Sequence, residues 1–189
     1  MGKKGHLFIV SAPSGAGKST ILMSMLKEDP ALRYSISCTT RPPRDNERDG
    51  VDYYFISEAA FRKKIDSGEL AEWAEVHGHL YGTPAGFLDD GLHLGDDILF
   101  DIDVEGARKL YARYPEATLV FIAPPSMEEL RRRLAERGTD SAEAIEERLK
   151  NAKGEMAEAH WYHYVIVNDD LTQAVSKLKA VIEKVRLNE

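Results

Sequence analysis

The chain of 189 residues has one cysteine, Cys38, and no long apolar run. A single cysteine excludes a disulfide within the chain and a zinc site made of several thiolates, and it suits a reducing compartment. No run of about 18 apolar residues occurs, so no membrane-spanning segment is predicted, and the apolar stretch at 7–10 is too short for a signal peptide. We therefore expect a cytoplasmic protein with no membrane partner.

Positive charge is also in the minority, since 25 Lys and Arg residues face 32 Asp and Glu residues, for a formal net charge of -7. An acidic chain repels phosphate backbones on average, so we expect no nucleic-acid partner. A small phosphorylated ligand needs only a local cluster of basic side chains. With 43% hydrophobic and 30% charged residues, the composition is that of a globular protein, and the length fits one domain.

Short apolar runs rich in strand-forming residues alternate with amphipathic stretches along most of the chain. The pattern predicts strands at 7–10, 34–40, 97–102, 118–123 and 163–167. It predicts helices at 21–28, 58–67, from Pro84 as a first helical residue, 104–114, 127–137, 141–159 and 170–186. Because strands that alternate with helices form parallel sheets, we expect a three-layer α/β fold with a five-stranded parallel core sheet.

Side chains suited to capping stand at several of the predicted helix starts. Ser57 is placed to accept a hydrogen bond from the first turn of the helix that follows it. Capping boxes are predicted for Ser126 with Glu129 and for Asp140 with Glu143.

The block at about 38–96 differs from the rest of the chain in composition. It combines a loop rich in prolines and charges with short segments of alternating polarity, which are typical of exposed loops and exposed strands. We therefore interpret it as an insertion into a core formed by about 1–37, 97–134 and 155–189.

Residues 12–20 read APSGAGKST, between the first predicted strand and the first predicted helix. This is the Walker A pattern, in which glycines let backbone amides point at the phosphates of a bound nucleotide, a lysine reaches the terminal phosphates and a serine binds magnesium. Ala12 stands where the pattern has glycine, and we expect an ordinary negative φ there, so that its methyl group is tolerated. The predicted ATP site is formed by Ala12, Pro13, Ser14, Gly15, Ala16, Gly17, Lys18, Ser19 and Thr20.

Two arginines, Arg41 and Arg44, bracket a pair of prolines. Prolines stiffen a loop, so two forked guanidiniums can converge on one dianionic phosphate with little ordering cost. Tyr53 and Tyr81 could add hydroxyl donors. The alternative is a solvated, charged loop.

Five blocks in order along the chain resemble the guanylate kinases: TTRPPR, DGVDYYF, EWAEVHGHLYGT, DIDVEGA and RLAERGTDS. The resemblance runs from residue 7 to residue 171, and alanine is common in that family at the position of Ala12. It implies a P-loop NTPase fold with a mobile lid at about 135–154. It also implies transfer of the γ-phosphoryl group of Mg-ATP to GMP, and to dGMP, giving ADP and GDP.

The resemblance assigns the acceptor site residue by residue. Arg41, Arg44, Tyr53 and Tyr81 would hold the phosphate of GMP, and Glu72 would accept from N1–H and the N2 amino group of guanine. Adenine lacks that donor pair and would leave a carboxylate unpaired. From the residues alone, Glu72 could equally be an exposed strand carboxylate. The resemblance assigns further contacts with GMP to Ser37, Thr83, Asp101 and Asp103.

The resemblance also assigns residues around the transferred phosphoryl group. Asp101 ends a predicted strand and would hold magnesium directly or through water together with Ser19, although it could instead cap the following helix. Asn168 and Asp169 would contact the adenine of ATP or cap the last helix. The lid arginines, which could otherwise form a solvated basic face, are Arg133, Arg137 and Arg148.

Other functions stay open on the sequence. Guanylate-kinase-like domains also occur as non-catalytic scaffolds that bind phosphopeptides, but such a domain should tolerate decay of the phosphate loop, which is intact here. A nucleoside monophosphate kinase of other base specificity, or a generic NTPase switch, is the further alternative. We expect ATP and GMP as small-molecule substrates, Mg²⁺ as cofactor, and a monomer or small homo-oligomer.

Overall fold

The computed structural model describes residues 4–45, 47–76, 78–136 and 141–187. Within these residues nine strands form two sheets. The strands are β1 (Leu7–Ser11), β2 (Leu32–Tyr34), β3 (Cys38–Thr39), β4 (Tyr54–Phe55), β5 (Leu70–Val76), β6 (His79–Pro84), β7 (Asp97–Asp101), β8 (Thr118–Ala123) and β9 (Tyr164–Val167). The larger sheet has five strands, all parallel, in the order β2-β7-β1-β8-β9. The predicted five-stranded parallel sheet is therefore confirmed.

Helices cover both faces of the parallel sheet. They are α1 (Lys18–Glu28), α2 (Glu58–Asp66), α3 (Ala85–Leu94), α4 (Val104–Arg113), α5 (Met127–Glu136), α6 (Ala142–Ala157) and α7 (Leu171–Leu187), and a short 3-10 helix follows α6 at Glu158–Trp161. Buried side chains of α1 and α7 form the core on one face, and those of α3 and α4 form the core on the other. No helix among the described residues is long and apolar enough to cross a membrane.

The central strand β1 positions the site. All five of its residues are buried because it lies between β7 and β8 and is covered on both faces. Val10 of β1 is in register with Asp101 of β7. Since the carboxyl ends of parallel strands meet at one sheet edge, the loop after β1 and the carboxylate of Asp101 lie side by side.

The predicted strand at 34–40 is wrong, because this segment belongs to two different sheets. Tyr34 ends β2, and the backbone N–H of Ser35 donates the last bond to Leu99 of the parallel sheet. Cys38 then pairs with Gly82 in a second, four-stranded sheet of order β4-β3-β6-β5. All four strands of this second sheet lie within 38–96, the block that we predict as an insertion.

The helix starts agree only partly with the predicted caps. Ser57 accepts from the N–H of Ala60 at 3.2 Å, as predicted. Pro84 is the N-cap of α3 rather than its first residue, because its ψ of 117° is extended. For α6 the cap is Ser141, whose hydroxyl reaches the N–H of Ala144 at 3.2 Å. The predicted cap at position 140 is therefore wrong, and that residue lies outside the described part of the chain.

At α5, half of the predicted capping box is present. The hydroxyl of Ser126 accepts the N–H of Glu129 at 3.0 Å. The carboxylate of Glu129 is engaged by the guanidiniums of Arg132 and Arg133, each at 2.7 Å from Oε1. Two arginines within one turn of the helix attract this carboxylate more strongly than one backbone N–H does, and they lower its pKa to about 2.

Candidate active site

The loop after β1 turns sharply at two glycines. Gly15 and Gly17 have φ values of 92° and 93°, in the left-handed region that favours glycine. A Cβ on Gly17 would lie 2.3 Å from Nδ2 of Asn168, and a Cβ on Gly15 would lie 2.8 Å from Cδ2 of Leu134. These glycines therefore serve both the turn and the close packing that a phosphate loop needs. Ala12 is buried and packs within the core.

Asn168, the residue after β9, is hydrogen-bonded to the loop that follows β1. Its side-chain amide donates to the carbonyl of Ala16 at 2.7 Å, and its backbone N–H donates to Ala123 at 2.8 Å. Arg133 of α5 donates through Nη2 to the carbonyl of Asn168 at 2.9 Å. Neither Asn168 nor Asp169 caps α7. The cap is Asp170, whose Oδ1 accepts the backbone N–H of Gln173 at 2.9 Å. The capping alternative is therefore wrong for Asn168 and Asp169, and the side chain of Asn168 supports the loop. Contact of both residues with the adenine of ATP stays a prediction.

Lys18 and Asp101 form an ion pair at the mouth of the loop. Lys18 also donates through Nζ to the carbonyl of Ile102 at 3.2 Å, so its stem crosses from α1 to the end of β7. The two side chains are 17% and 20% exposed, which leaves both within reach of a ligand. Ser19 and Thr20 follow in the first turn of α1 and are exposed.

A cavity of about 280 Å³ separates the carboxyl edge of the parallel sheet from the second sheet. Seven of the predicted site residues line it, namely Lys18, Ser37, Tyr53, Glu72, Tyr81, Asp101 and Asp103. Sequence reasoning missed the rest of the lining, which is Tyr34, Ser35, Asp52, Ala74, Gly82, Ile102 and Gly106. The phosphate loop and the second sheet thus contribute to one site.

Glu72 is the buried acid of this cavity. Glu72 of β5 lies opposite Thr83 of the adjacent antiparallel strand β6. The hydroxyl of Thr83 therefore donates to Oε1 of Glu72 at 2.5 Å. Burial raises the pKa of Glu72 to about 7, the negative charge of Asp103 adds to this shift, and the hydrogen bond from Thr83 opposes it. The alternative of an exposed strand carboxylate is therefore wrong.

Asp103 caps a helix and also lines the cavity. It is the N-cap of α4, with Oδ1 accepting the N–H of Gly106 at 2.7 Å. The capping role that the sequence left open for Asp101 therefore belongs to Asp103. This leaves the carboxylate of Asp101 to Lys18.

Arg41 is anchored rather than solvated. Its Nε donates to the hydroxyl of Tyr81 at 3.2 Å, and its Nη2 lies 2.8 and 2.9 Å from the two carboxylate oxygens of Glu47. The ring of Tyr53 meets that of Tyr81 edge-on at 6.0 Å, and burial raises the pKa of Tyr53. Arg44 is exposed, and its backbone N–H donates to Glu47 at 2.8 Å. The solvated-loop alternative is wrong for Arg41.

The predicted lid arginines are only partly described. Arg133 lies on α5, where Glu129 and the carbonyl of Asn168 hold its guanidinium. Arg148 is half-buried on α6. The third of them, Arg137, lies outside the described residues.

Comparison with known proteins gives the family. A sequence model described as guanylate kinase matches residues 4–185. A guanylate kinase of Symbiobacterium thermophilum is 51% identical over 185 residues, which is 97% of this chain and 88% of that protein. The chain belongs to the guanylate kinase family. Another member, from Geobacter metallireducens, is 50% identical over 182 residues and covers 96% of this chain and 90% of its own.

Solved structures agree with this family. The crystal structure of guanylate kinase from Anaplasma phagocytophilum superposes with a TM-score of 0.81 at 33% identity, covering 100% of this chain and 89% of that one. Shikimate kinase from Bacteroides thetaiotaomicron, at 13% identity, has a TM-score of 0.53 over 94% of this chain and 98% of its own. The latter likeness concerns the fold alone.

Proposed function

We propose that this member of the guanylate kinase family transfers the γ-phosphoryl group of ATP to GMP, and to dGMP, in a reversible reaction. The observation that carries the proposal is the position of Glu72, a buried carboxylate on the wall of a cavity that Lys18 of the phosphate loop also lines. Guanine presents N1–H and N2–H side by side, and one carboxylate can accept both. ATP would bind at residues 12–20, and GMP would bind between Glu72 and Arg41.

The reaction forms one bond and breaks one. An oxygen of the GMP phosphate attacks the γ-phosphorus, and the bond from that phosphorus to the bridging oxygen of ADP breaks. The GMP phosphate has a second pKa of about 6, so it is already ionised near neutral pH and no general base is required. The chain's remaining tasks are alignment, charge neutralisation and exclusion of water.

Basic and hydroxyl side chains are suited to those tasks. Lys18 would hold the terminal phosphates of ATP, and Arg41 would hold the acceptor phosphate together with Tyr81, to which it is already bonded. Arg44 is near enough in sequence to join them once its exposed side chain turns inward. In the same proposal, the lid arginines 133, 137 and 148 close over the transferring group.

The residues at the mouth of the loop fit a magnesium ion that is bound mainly through nucleotide phosphates. Ser19 offers a hydroxyl and Asp101 a carboxylate, which are oxygen donors of the kind Mg²⁺ prefers. In the described part of the chain no group of three or more His, Cys, Asp and Glu side chains could hold a metal, so phosphates and water would have to supply most ligands. Bound there, the ion would neutralise charge on the β- and γ-phosphates.

A panel of acceptors tests the proposed function. ADP formation is measured with magnesium and ATP against GMP, dGMP, AMP, CMP and UMP. We expect turnover with GMP and dGMP alone. Turnover of AMP at a similar rate would contradict specificity for guanine. No turnover with any acceptor would refute the proposed kinase activity.

The raised pKa of Glu72 predicts that guanine binding weakens in mild acid. With a pKa of about 7, the carboxyl group is protonated below that pH and must lose its proton before it accepts both guanine donors. The dissociation constant of guanosine is expected to rise about tenfold for each pH unit below about 7. Calorimetric titration across this range measures it, with guanosine as the ligand because the phosphate of GMP titrates at about 6.

The same shift acts on stability with the opposite sign. The pKa of Glu72 in the folded chain lies above its ordinary value of 4.5, so the folded state holds the proton more tightly. Its contribution to the free energy of unfolding is fully present below about 4.5 and is lost as the pH rises through about 7. Glu72→Gln should abolish this trend in thermal denaturation. The role of Glu72 in guanine binding would be contradicted by a wild-type dissociation constant for guanosine that stays constant as the pH falls below about 7.

A further inference from the structure

One carboxylate, that of Glu47, connects the two arginines proposed for the acceptor phosphate. Its oxygens lie 2.8 and 2.9 Å from Nη2 of Arg41, and Oε2 also accepts the backbone N–H of Arg44 at 2.8 Å. The backbone N–H of Glu47 donates in turn to the carbonyl of Arg44 at 2.9 Å. The side chain thus fixes one arginine through its guanidinium and the other through its backbone.

The pair of Arg41 and Glu47 is shielded from solvent. The two side chains are 13% and 17% exposed, whereas the ion pairs Arg62–Glu58, Arg108–Glu158 and Arg131–Glu146 are far more open. Hydrogen bonds from Arg41 lower the pKa of Glu47, so the carboxylate is charged at neutral pH. Removing one partner of a shielded pair leaves the other without compensation. Without Glu47, Arg41 would keep its hydrogen bonds to Tyr81 and Pro42 but would lose both bonds at Nη2.

The remaining contacts of Arg41 set the direction in which it faces. Its Nη1 donates to the carbonyl of Pro42 at 2.8 Å, and its Nε donates to the hydroxyl of Tyr81, which lines the cavity. The rings of Tyr53 and Phe55 lie 5.7 and 5.9 Å from the guanidinium carbon. The Nε edge therefore lies toward the cavity wall, while Glu47 is bound at Nη2.

We propose that Glu47 is a positioning residue for the phosphate of GMP. It does not act on the reacting atoms; it orders Arg41 and the backbone at Arg44 before the substrate arrives, so that the phosphate need not supply this ordering. Its own negative charge is offset by the guanidinium to which it is bonded. The inference rests on the proposed function and adds a positioning residue to it.

Three variants test the role of Glu47. Glu47→Ala removes all of its side-chain contacts, Glu47→Gln keeps an amide oxygen that can still accept from Arg44, and Asp45→Asn removes a charge from the same loop at an exposed side chain. For Glu47→Ala we expect the KM for GMP to rise about tenfold, equivalent to about 1.4 kcal/mol, with the KM for ATP unchanged. Glu47→Gln should lie between this variant and the wild type, and Asp45→Asn should match the wild type.

Binding measurements separate this role from general damage to the fold. Calorimetry gives the ratio of the affinities for GMP and guanosine, which differ only by the phosphate. In Glu47→Ala that ratio should fall about tenfold while the affinity for guanosine stays unchanged. Equal loss of both affinities would overturn the inference, because Glu47 would then support the whole insertion.

Two other results would also overturn it. A lower KM for GMP in Glu47→Ala would mean that the carboxylate competes with the phosphate for Arg41. Identical kinetics in Glu47→Ala and Asp45→Asn would mean that the pair has no functional effect. Failure of the proposed function is distinct from all of these, because then the wild type itself would not phosphorylate GMP.

Discussion

Replacing Lys18 by alanine is expected to reduce kcat on the order of 10³-fold or more while the chain remains folded. The expected magnitude is that of removing a cation or donor from a preorganised site where charge develops in the transition state. Lys18 reaches the end of β7 from the first residue of α1, where it is bonded to Ile102 and Asp101. No other Lys or Arg lines this cavity among the described residues.

Two further variants separate the charge of Lys18 from its packing. Lys18→Met keeps most of the side-chain volume and removes the ammonium group, so it should lose as much activity as Lys18→Ala. Lys27→Ala, on an exposed side chain near the other end of α1, should leave kcat unchanged. Coupled assays of ADP formation measure the rates, and circular dichroism with thermal melting checks the fold. If Lys18→Met retained more than about a tenth of the activity, the charge would not be the source of catalysis.

The core of the fold and the phosphate loop could be predicted because their signals are contiguous in the sequence. The buried strands β1 and β8 are covered on both faces, so they appear as unbroken apolar runs. The loop between β1 and α1 combines a fixed spacing of glycines with Lys18, and its backbone conformation at Gly15 and Gly17 follows from those residue types. Such features need no knowledge of distant contacts.

The features that were missed depend on contacts between segments. Nothing between residues 34 and 40 marks the point at which the chain leaves one sheet for another, since the change follows from pairing with β6. Asp101 and Asp103 are both plausible caps in sequence, and only the first turn of α4 decides between them. Glu47 lies in a charged loop without periodicity, so no sequence pattern predicts its ion pair with Arg41. Local patterns thus gave the elements, and tertiary pairing decided the site.

Replacing Glu72 by glutamine is expected to lower kcat/KM for GMP about 100-fold, equivalent to about 2.7 kcal/mol. The two oxygens of Glu72 can accept both guanine donors while Oε1 also accepts from Thr83, because each carboxylate oxygen has two lone pairs. A glutamine offers one oxygen and one amino group, so one guanine donor would face another donor. AMP, which does not present that donor pair, should lose little of whatever activity the wild type has toward it.

The matched control for this change is Glu75→Gln, three residues along the same strand. Successive side chains of a strand alternate between faces, so Glu75 lies on the opposite face from Glu72, and it is exposed. It should leave both activities unchanged. Since ionising a buried carboxyl costs free energy, Glu72→Gln should not lower the melting temperature at neutral pH, and a loss of activity toward GMP then reflects recognition rather than unfolding. Equal losses of kcat/KM toward GMP and AMP would contradict the recognition of guanine by Glu72. A carboxylate that only supported the cavity would affect both acceptors alike.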